Sequence, residues 1–384
     1  MKSGKGSAST GPLCGVRILE IEGLGPCPFA AMLLGDMGAD IIRIRRPGAP
    51  RPAFMPAGAA NALERSRRGS ISLDLKQRPD RDALLSLIGK HDALIEGFRP
   101  GTMEKLGLGP EECMAIQPRL VYGRMTGWGQ SGPLAQTAGH DINYLGLTGA
   151  LHAIGRKGER PVPPLSLLGD YGGGGMLLAS GVLAALVGAM RTGRGQVVDA
   201  AIVDGVSLLM SSLWARFAEG TWTDERGVNL LDGGAPYYDV YSTSDSKYLA
   251  VGALEPRFFE NLVRLLDLEA RWGPQNQNDR TQWEDMRRDF AQAFGARTRQ
   301  DWMSVFGRAD ACVSPVLSLS EAPLHEHNLA RNAYAGSTDA VMPARAPRFS
   351  DKQTGSEAMS FGDHIESFGL PVTVAARLRA ASVD

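Results

Sequence analysis

The chain has 384 residues, 43% of them hydrophobic, enough to bury a substantial core and to divide into two domains. Its 41 Lys and Arg against 42 Asp and Glu leave a net charge of −1, which argues against a broadly basic nucleic-acid surface or a general affinity for anionic membranes. The scattered Cys14, Cys27, Cys113 and Cys312 form neither a Cys-x-x-Cys pair nor a zinc spacing, the pattern of reduced thiols in a cytosolic protein.

Residues 1–11 are polar and small, lack the apolar centre of a signal peptide and read as a tail. Predicted strands follow at 16–21 and 41–44, with a helix at 29–34 between them. The Pro- and Ala-rich stretch 47–62 reads as a loop of a length that often covers ligands. Further strands are predicted at 71–75, 93–95 and 120–122, with a helix at 82–88, so the first half reads as an α/β domain on a largely parallel sheet. Residues 176–217 are apolar and helix-rich and read as a connector. No uninterrupted apolar run approaches the ~20 residues that span a bilayer, so no membrane is expected as partner. From Asp232 onward, 237–241, the turn 242–246 and 248–251 form a predicted hairpin, and helices at 258–266 and 283–294 complete a smaller α+β domain.

Three positions carry candidate chemistry, each with a plainer alternative. His140, in GHDINY, stands at a predicted helix start, where an imidazole either titrates near neutral pH or merely satisfies a local hydrogen bond. Asp170 precedes a run of glycines and an apolar helix. It reads as a helix cap, or as a functional carboxylate beside glycines that let a ligand approach. Glu255, between a strand and Pro256, has the position of a first-turn glutamate complementing a helix dipole. The basic clusters Arg43, Arg45, Arg46 and Arg65, Arg67, Arg68 flank predicted strands. They are either solvated surface or a local site for phosphate groups.

Other chemistries are set aside. Gly23-Leu24-Gly25-Pro26-Cys27-Pro28 follows the first strand, but its prolines spoil a dinucleotide fingerprint. His325-Glu326-His327 lacks a third ligand, so no metal is expected. There is no Gly-x-Ser-x-Gly elbow.

Taken together, GVRILEIEGLGPCPFAAMLLGDMGADIIRIRRPG, SISLDLK, EGFRPGTMEKLGLGP, RMTGWGQSGPLAQTAGHDINYLGLTG, PVPPLSLLGDYGGGG, LDGGAPYYDVY and YLAVGALEPRFF resemble the family III CoA-transferase (CaiB/BaiF) superfamily, and within it the α-methylacyl-CoA racemases. The resemblance spans roughly residues 11–317. It implies a Rossmann-like large domain and a smaller α+β domain in an interlocked homodimer. The corresponding division is a large CoA-binding domain at 12–200, a helical linker at 201–231, a small domain at 232–330 and a return segment to the large domain at 331–384.

By the same resemblance, His140 and Asp170 belong to one subunit's site and Glu255 arrives from the partner to hold His140. Coenzyme A, as part of an acyl-CoA substrate and not as a separate cofactor, would contact Arg46, Leu73, Asp74, Leu75, Lys76, Gly97, Phe98, Arg99 and Lys105. It would also contact Gly139, His140, Asp141, Ile142, Asn143 and Tyr144. One departure is Arg45, where the family usually has an acidic residue.

The implied reaction is racemisation of 2-methyl-branched acyl-CoA thioesters by 1,1-proton transfer through an enolate, with backbone N–H groups near Asp170 and its glycines as candidate donors to the enolate oxygen. The rivals are a CoA-transferase using Asp170 as covalent nucleophile and an acyl-CoA-binding protein without turnover. Met176, Met190 and Met210 are expected in core packing, not assigned to an acyl pocket.

Overall fold

The strands predicted in the first half join one from the apolar connector in a single parallel sheet: β1 (Arg17–Ile21), β2 (Asp40–Arg45), β3 (Arg67–Ser72), β4 (Ala93–Glu96), β5 (Val121–Thr126) and β6 (Gln196–Ala201). They lie in the order β3-β2-β1-β4-β5-β6, every neighbouring pair parallel. The structure is a computed structural model that describes residues 11–50, 52–336, 341–350 and 368–383; of the tail expected at 1–11, residues 1–10 lie outside the described residues. Ile18, Leu19, Ile41, Ile42, Leu94 and Ile95 are buried, as expected for strands covered on both faces. Helices Pro26–Asp36 and Arg78–Ile88 supply part of that cover, each opening with a proline in its first turn. The strand order reverses between β1 and β4, and at such a switch point the segments leaving the carboxyl ends of the strands frame a crevice.

The described residues divide into two units, those within 11–148, 164–210 and 345–383, and those within 149–163 and 211–344. The division differs from the expected boundaries in four places, one being residues 211–231 of the expected linker, which belong to the second unit. Helix Ile202–Leu209, expected in the linker, packs on helix Leu168–Met176 and belongs to the first unit. Residues 149–163, expected in the large domain, belong to the second, where the Arg226 Nε donates to the His152 carbonyl at 2.8 Å. Residues 331–344, expected to begin the return, also stay in the second unit, with Tyr334–Ala335 paired to Met342–Pro343.

Within the first unit, Ser382–Val383 adds antiparallel to β3, and helix Val372–Ala380 packs on Arg78–Ile88 with Arg377 paired to Asp80. Residues 337–340, 351–367 and 384 of the expected return segment lie outside the described residues. Leu378 is fully buried in that contact. Leu378→Ala is expected to cost about 2–5 kcal/mol, read as a lower urea midpoint with an unchanged m-value.

Local differences also have physical causes. β3 starts at Arg67 and ends at Ser72, because the Asp74 N–H is taken by Asp80 Oδ2 at 2.9 Å and Leu75 leaves the ladder. Residues Ala57–Glu64 form a helix inside the expected loop, alanine-rich and entered through Pro56. β6 was hidden in the apolar connector. Helix runs from Leu165 to Thr192 without a break at Asp170 or the glycines, long and apolar enough by length and composition to span a bilayer, yet about half buried within this unit against β5 and β6.

The second unit carries β7 (Tyr238–Ser242), β8 (Tyr248–Gly252) and β9 (Val313–Val316), antiparallel in that order. Its core combines Tyr241, Leu249 and Val251 of the sheet with Phe259, Phe290, Phe294 and Trp302 from helices Pro256–Leu265, Trp283–Gly295 and Arg299–Phe306.

Candidate active site

Among the cavities of the first unit at the carboxyl edge of its sheet, two gather the expected site residues. One, of about 490 Å³, is lined by Leu24, Gly25, Cys27, Gly97, His140 and Asp170, among others. The other, of about 500 Å³, is lined by Arg45, Arg46, Leu73–Lys76, Phe98 and Lys105, among others. The segments after β1 and β4 contribute to both, through Glu22–Gly25 and Gly97–Phe98, as the switch-point rule requires.

His140 is the N-cap of helix Asp141–Leu147. Its N–H donates to Asn143 Oδ1 at 3.0 Å, and the Asn143 N–H donates back to its carbonyl at 2.8 Å. The loop before it is braced by Tyr144, whose hydroxyl donates to the Gly139 carbonyl at 2.5 Å and whose ring meets Trp128 edge-on at 4.7 Å. Trp128 Nε1 in turn donates to the Thr137 carbonyl at 3.1 Å. Phe54, from the segment after β2, lies edge-on to the imidazole at 6.4 Å.

Asp170 is not the cap anticipated for it. It lies inside helix Leu168–Met176, with its carboxyl facing Gly25, while Asp141 takes the capping part: the Asp170 N–H donates to Asp141 Oδ1 at 2.7 Å and the Gly169 N–H donates to the same carboxylate. The following glycines do not admit a ligand either. A side chain at Gly173 would meet Val206, at Gly174 Pro26, and at Gly175 Phe29, so the run exists to let protein pack closely. With the Asp170 N–H occupied and the glycines inside the helix, this backbone does not supply the donors expected for an enolate oxygen.

Burial, first, and the neighbouring Asp141, second, push the Asp170 carboxyl up to about 6, against a smaller lowering by His140. Cys27, fully enclosed in the same wall, is held protonated by burial and by Glu96 and Glu20, which makes it a poor nucleophile at neutral pH. Gly25 holds φ at +64°, and a Cβ there would lie 2.8 Å from Asp170 Oδ2. Gly25→Ala is therefore expected to displace the carboxylate and lower turnover by about 10²-fold without loss of fold, measured as kcat with circular dichroism as control.

The second cavity gathers Arg46, Leu73, Asp74, Leu75, Lys76, Phe98 and Lys105 of the expected carrier contacts. Of the first basic cluster, Arg43 is buried and paired with Glu22 and Glu64, whereas Arg45 lines the cavity 3.5 Å from Glu22. Arg65 is paired with Asp36 at 2.5 Å, so its role is structural; the side chains of Arg67 and Arg68 lie outside what is described. Gly97, Gly139, His140 and Tyr144 line the first cavity; Arg99, Ile142 and Asn143 are exposed and line neither. Asp141 lines neither cavity and turns to the Asp170 helix.

Glu255 belongs to the second unit, exposed at the N-cap of helix Pro256–Leu265, at the strand-to-helix junction expected for it. Among the described residues no group of three or more His, Cys, Asp or Glu is arranged to hold a metal, and His325 Nδ1 accepts from the His327 N–H at 3.3 Å. Sequence reasoning missed Gly25, Phe54, Cys27 and Thr126 in the cavity wall. Gly25, in Gly-Pro after a strand, carried the signal of a turn, and Phe54 lay in the stretch read as a ligand-covering loop; Cys27 and Thr126 carried none.

A family model described as CoA-transferase family III matches residues 13–359. The chain is 44% identical over 336 residues to a Homo sapiens protein named alpha-methylacyl-CoA racemase, covering 87% of this chain and 86% of that one. The Mus musculus protein of the same name is also 44% identical, over 322 residues, 84% of this chain and 82% of that one. A solved CAIB/BAIF family protein from Brucella suis shares the fold with a TM-score of 0.75 at 23% identity, covering 93% of this chain and 99% of that one.

Proposed function

Because the chain belongs to CoA-transferase family III, we propose that it is an α-methylacyl-CoA racemase, moving the proton on the carbon beside the thioester carbonyl of 2-methyl-branched acyl-CoA from one face to the other. The observation that carries this reading is that His140 and an Asp170 held near 6 line the same cavity. Inversion needs an acid and a base on opposite faces of a planar enolate, each able to take either part. An aspartate raised to about 6 can both accept and return a proton near neutral pH. In one direction neutral His140 takes the α-proton and protonated Asp170 supplies its replacement; in the other, Asp170 carboxylate takes it and the imidazolium supplies it.

In this reading coenzyme A occupies the neighbouring cavity, with Arg46, Lys76 and Lys105 at its phosphates and Phe98 against its apolar parts. The protein works in the cytosol as a homodimer on branched fatty acyl chains, and Glu255 of a second copy orients the His140 imidazole and favours its protonated form. A transferase would have no need of His140.

The rival is separated by its co-substrate. The racemase acts on a single acyl-CoA with no second acid, and hydroxylamine traps no acyl group on Asp170. Strict dependence on an added carboxylic acid, with a trappable acyl-Asp170, would establish the transferase instead. Stoichiometric binding with neither reaction would identify a binding protein.

A further inference from the structure

Resting on the two-base reading, we propose that Asp141 is a positioning residue whose carboxylate ties the segment carrying Asp170 to the segment carrying His140 and thereby sets the spacing of the two bases. Asp141 follows His140 directly and opens helix Asp141–Leu147, while its side chain reaches across to accept the N–H groups of Asp170, at 2.7 Å, and Gly169. One residue thus has its backbone joined to one base and its side chain joined to the backbone of the other. The approach depends on the missing side chain at 169: a Cβ there would collide with Asp141 Oδ1 and lie 3.4 Å from Cγ of the buried Leu145. Carboxylate and glycine are therefore complementary parts of one joint, and neither part lines a cavity.

The joint has an electrostatic consequence. Burial holds the Asp141 carboxyl above its ordinary range, against an opposing pull from the two N–H donors, and when ionised it places a negative charge beside Asp170. Around Asp170 stand His140, Asp141 and Tyr144 from the loop and helix of the first base, Tyr171 on its own helix, and the backbone of Gly25, with Cys27 lining the same cavity. Asp141 is the anion in that shell, and it favours the protonated form of Asp170. The same side chain therefore sets both where Asp170 stands and how readily it returns a proton.

The test compares Asp141→Asn, Asp141→Ala and Gly169→Ala with wild type, reading the Asp170 carboxyl by ¹³C NMR titration alongside kcat, KM and the pH profile of α-proton exchange. Asn keeps an acceptor oxygen but not the charge, so Asp170 is expected to titrate about one pH unit lower and the acid limb of exchange to move down with it. Asp141→Ala and Gly169→Ala release the joint and are expected to lower kcat about 10²-fold with KM changed less than about threefold.

An unchanged Asp170 titration in Asp141→Asn overturns the electrostatic part. A rise in KM at wild-type kcat overturns the positioning role and makes Asp141 a carrier contact. If Asp141→Ala does not fold, the Asn and Gly169 variants carry the test. If wild type exchanges no α-proton, the two-base reading fails by itself, while the NMR titration still reports whether Asp141 controls Asp170.

Discussion

Asp170→Asn is expected to lower racemisation by about 10²- to 10⁴-fold and at the same time to stabilise the fold near neutral pH. The loss follows because an amide cannot take or return the α-proton. The fold survives because the helix start is capped by Asp141 and not by Asp170. The stabilisation follows from the direction of the shift, from an ordinary 3.8 to about 6 in the folded protein. A raised folded value means that the native state holds this proton more tightly than the unfolded chain does. The stability it lends is present below about pH 4 and is lost as pH rises through about 6. Asparagine has no charge to bury, so the variant should exceed wild type by roughly 1–2 kcal/mol at pH 7.5, allowing for solvent screening of a partly exposed carboxyl. The gain should vanish at pH 4, and thermal unfolding at the two pH values checks it. With His140 intact, the variant should still exchange the α-proton of one enantiomer on one face, and His140→Ala should show the opposite preference. Identical behaviour of both variants toward both enantiomers would remove the assignment of one base to each face.

Activity regained from two inactive chains is the second large effect. His140→Ala and Glu255→Ala are each expected to be severely impaired. If the two residues serve one site from different subunits, a hybrid dimer carries one site with both wild-type residues. Random mixing makes half of the dimers hybrids with one intact site in two, so about a quarter of wild-type activity should return. If both residues serve a site from the same chain, mixing returns nothing. Full activity of a well-folded monomer would also contradict the shared site.

Much of the sheet was legible because its strands are short β-branched runs bounded by turn residues, as at 16–21 and 41–44, where the apolar pattern alone locates β1 and β2. β6 was not, because its Val197-Val198 pair sits inside a longer apolar stretch with a helical pattern. The end of β3 was misplaced because hydrophobicity continues through Leu75, whereas the last bond to β2 is the Leu73 N–H to the Arg45 carbonyl and Asp80 then takes the Asp74 N–H. His140 and Asp170 were readable as candidates, but not how they are held. The glycines after Asp170 drew attention to a ligand, whereas their neighbours are Val206, Pro26 and Phe29, far away in sequence. Asp141 was expected only as a carrier contact, since its bond to residue 170 joins two segments that no local pattern connects. Long-range capping of this kind becomes visible only once the chain is folded.

The most direct test of the two-base account starts from one pure enantiomer of a 2-methylacyl-CoA in deuterated water, with no second carboxylic acid present. The opposite enantiomer is expected to accumulate to equilibrium carrying one deuterium at the α-carbon, with CoA remaining on the same acyl group. Retention of configuration and of the α-proton until an acceptor acid is added, followed by transfer of CoA to that acid, would contradict it.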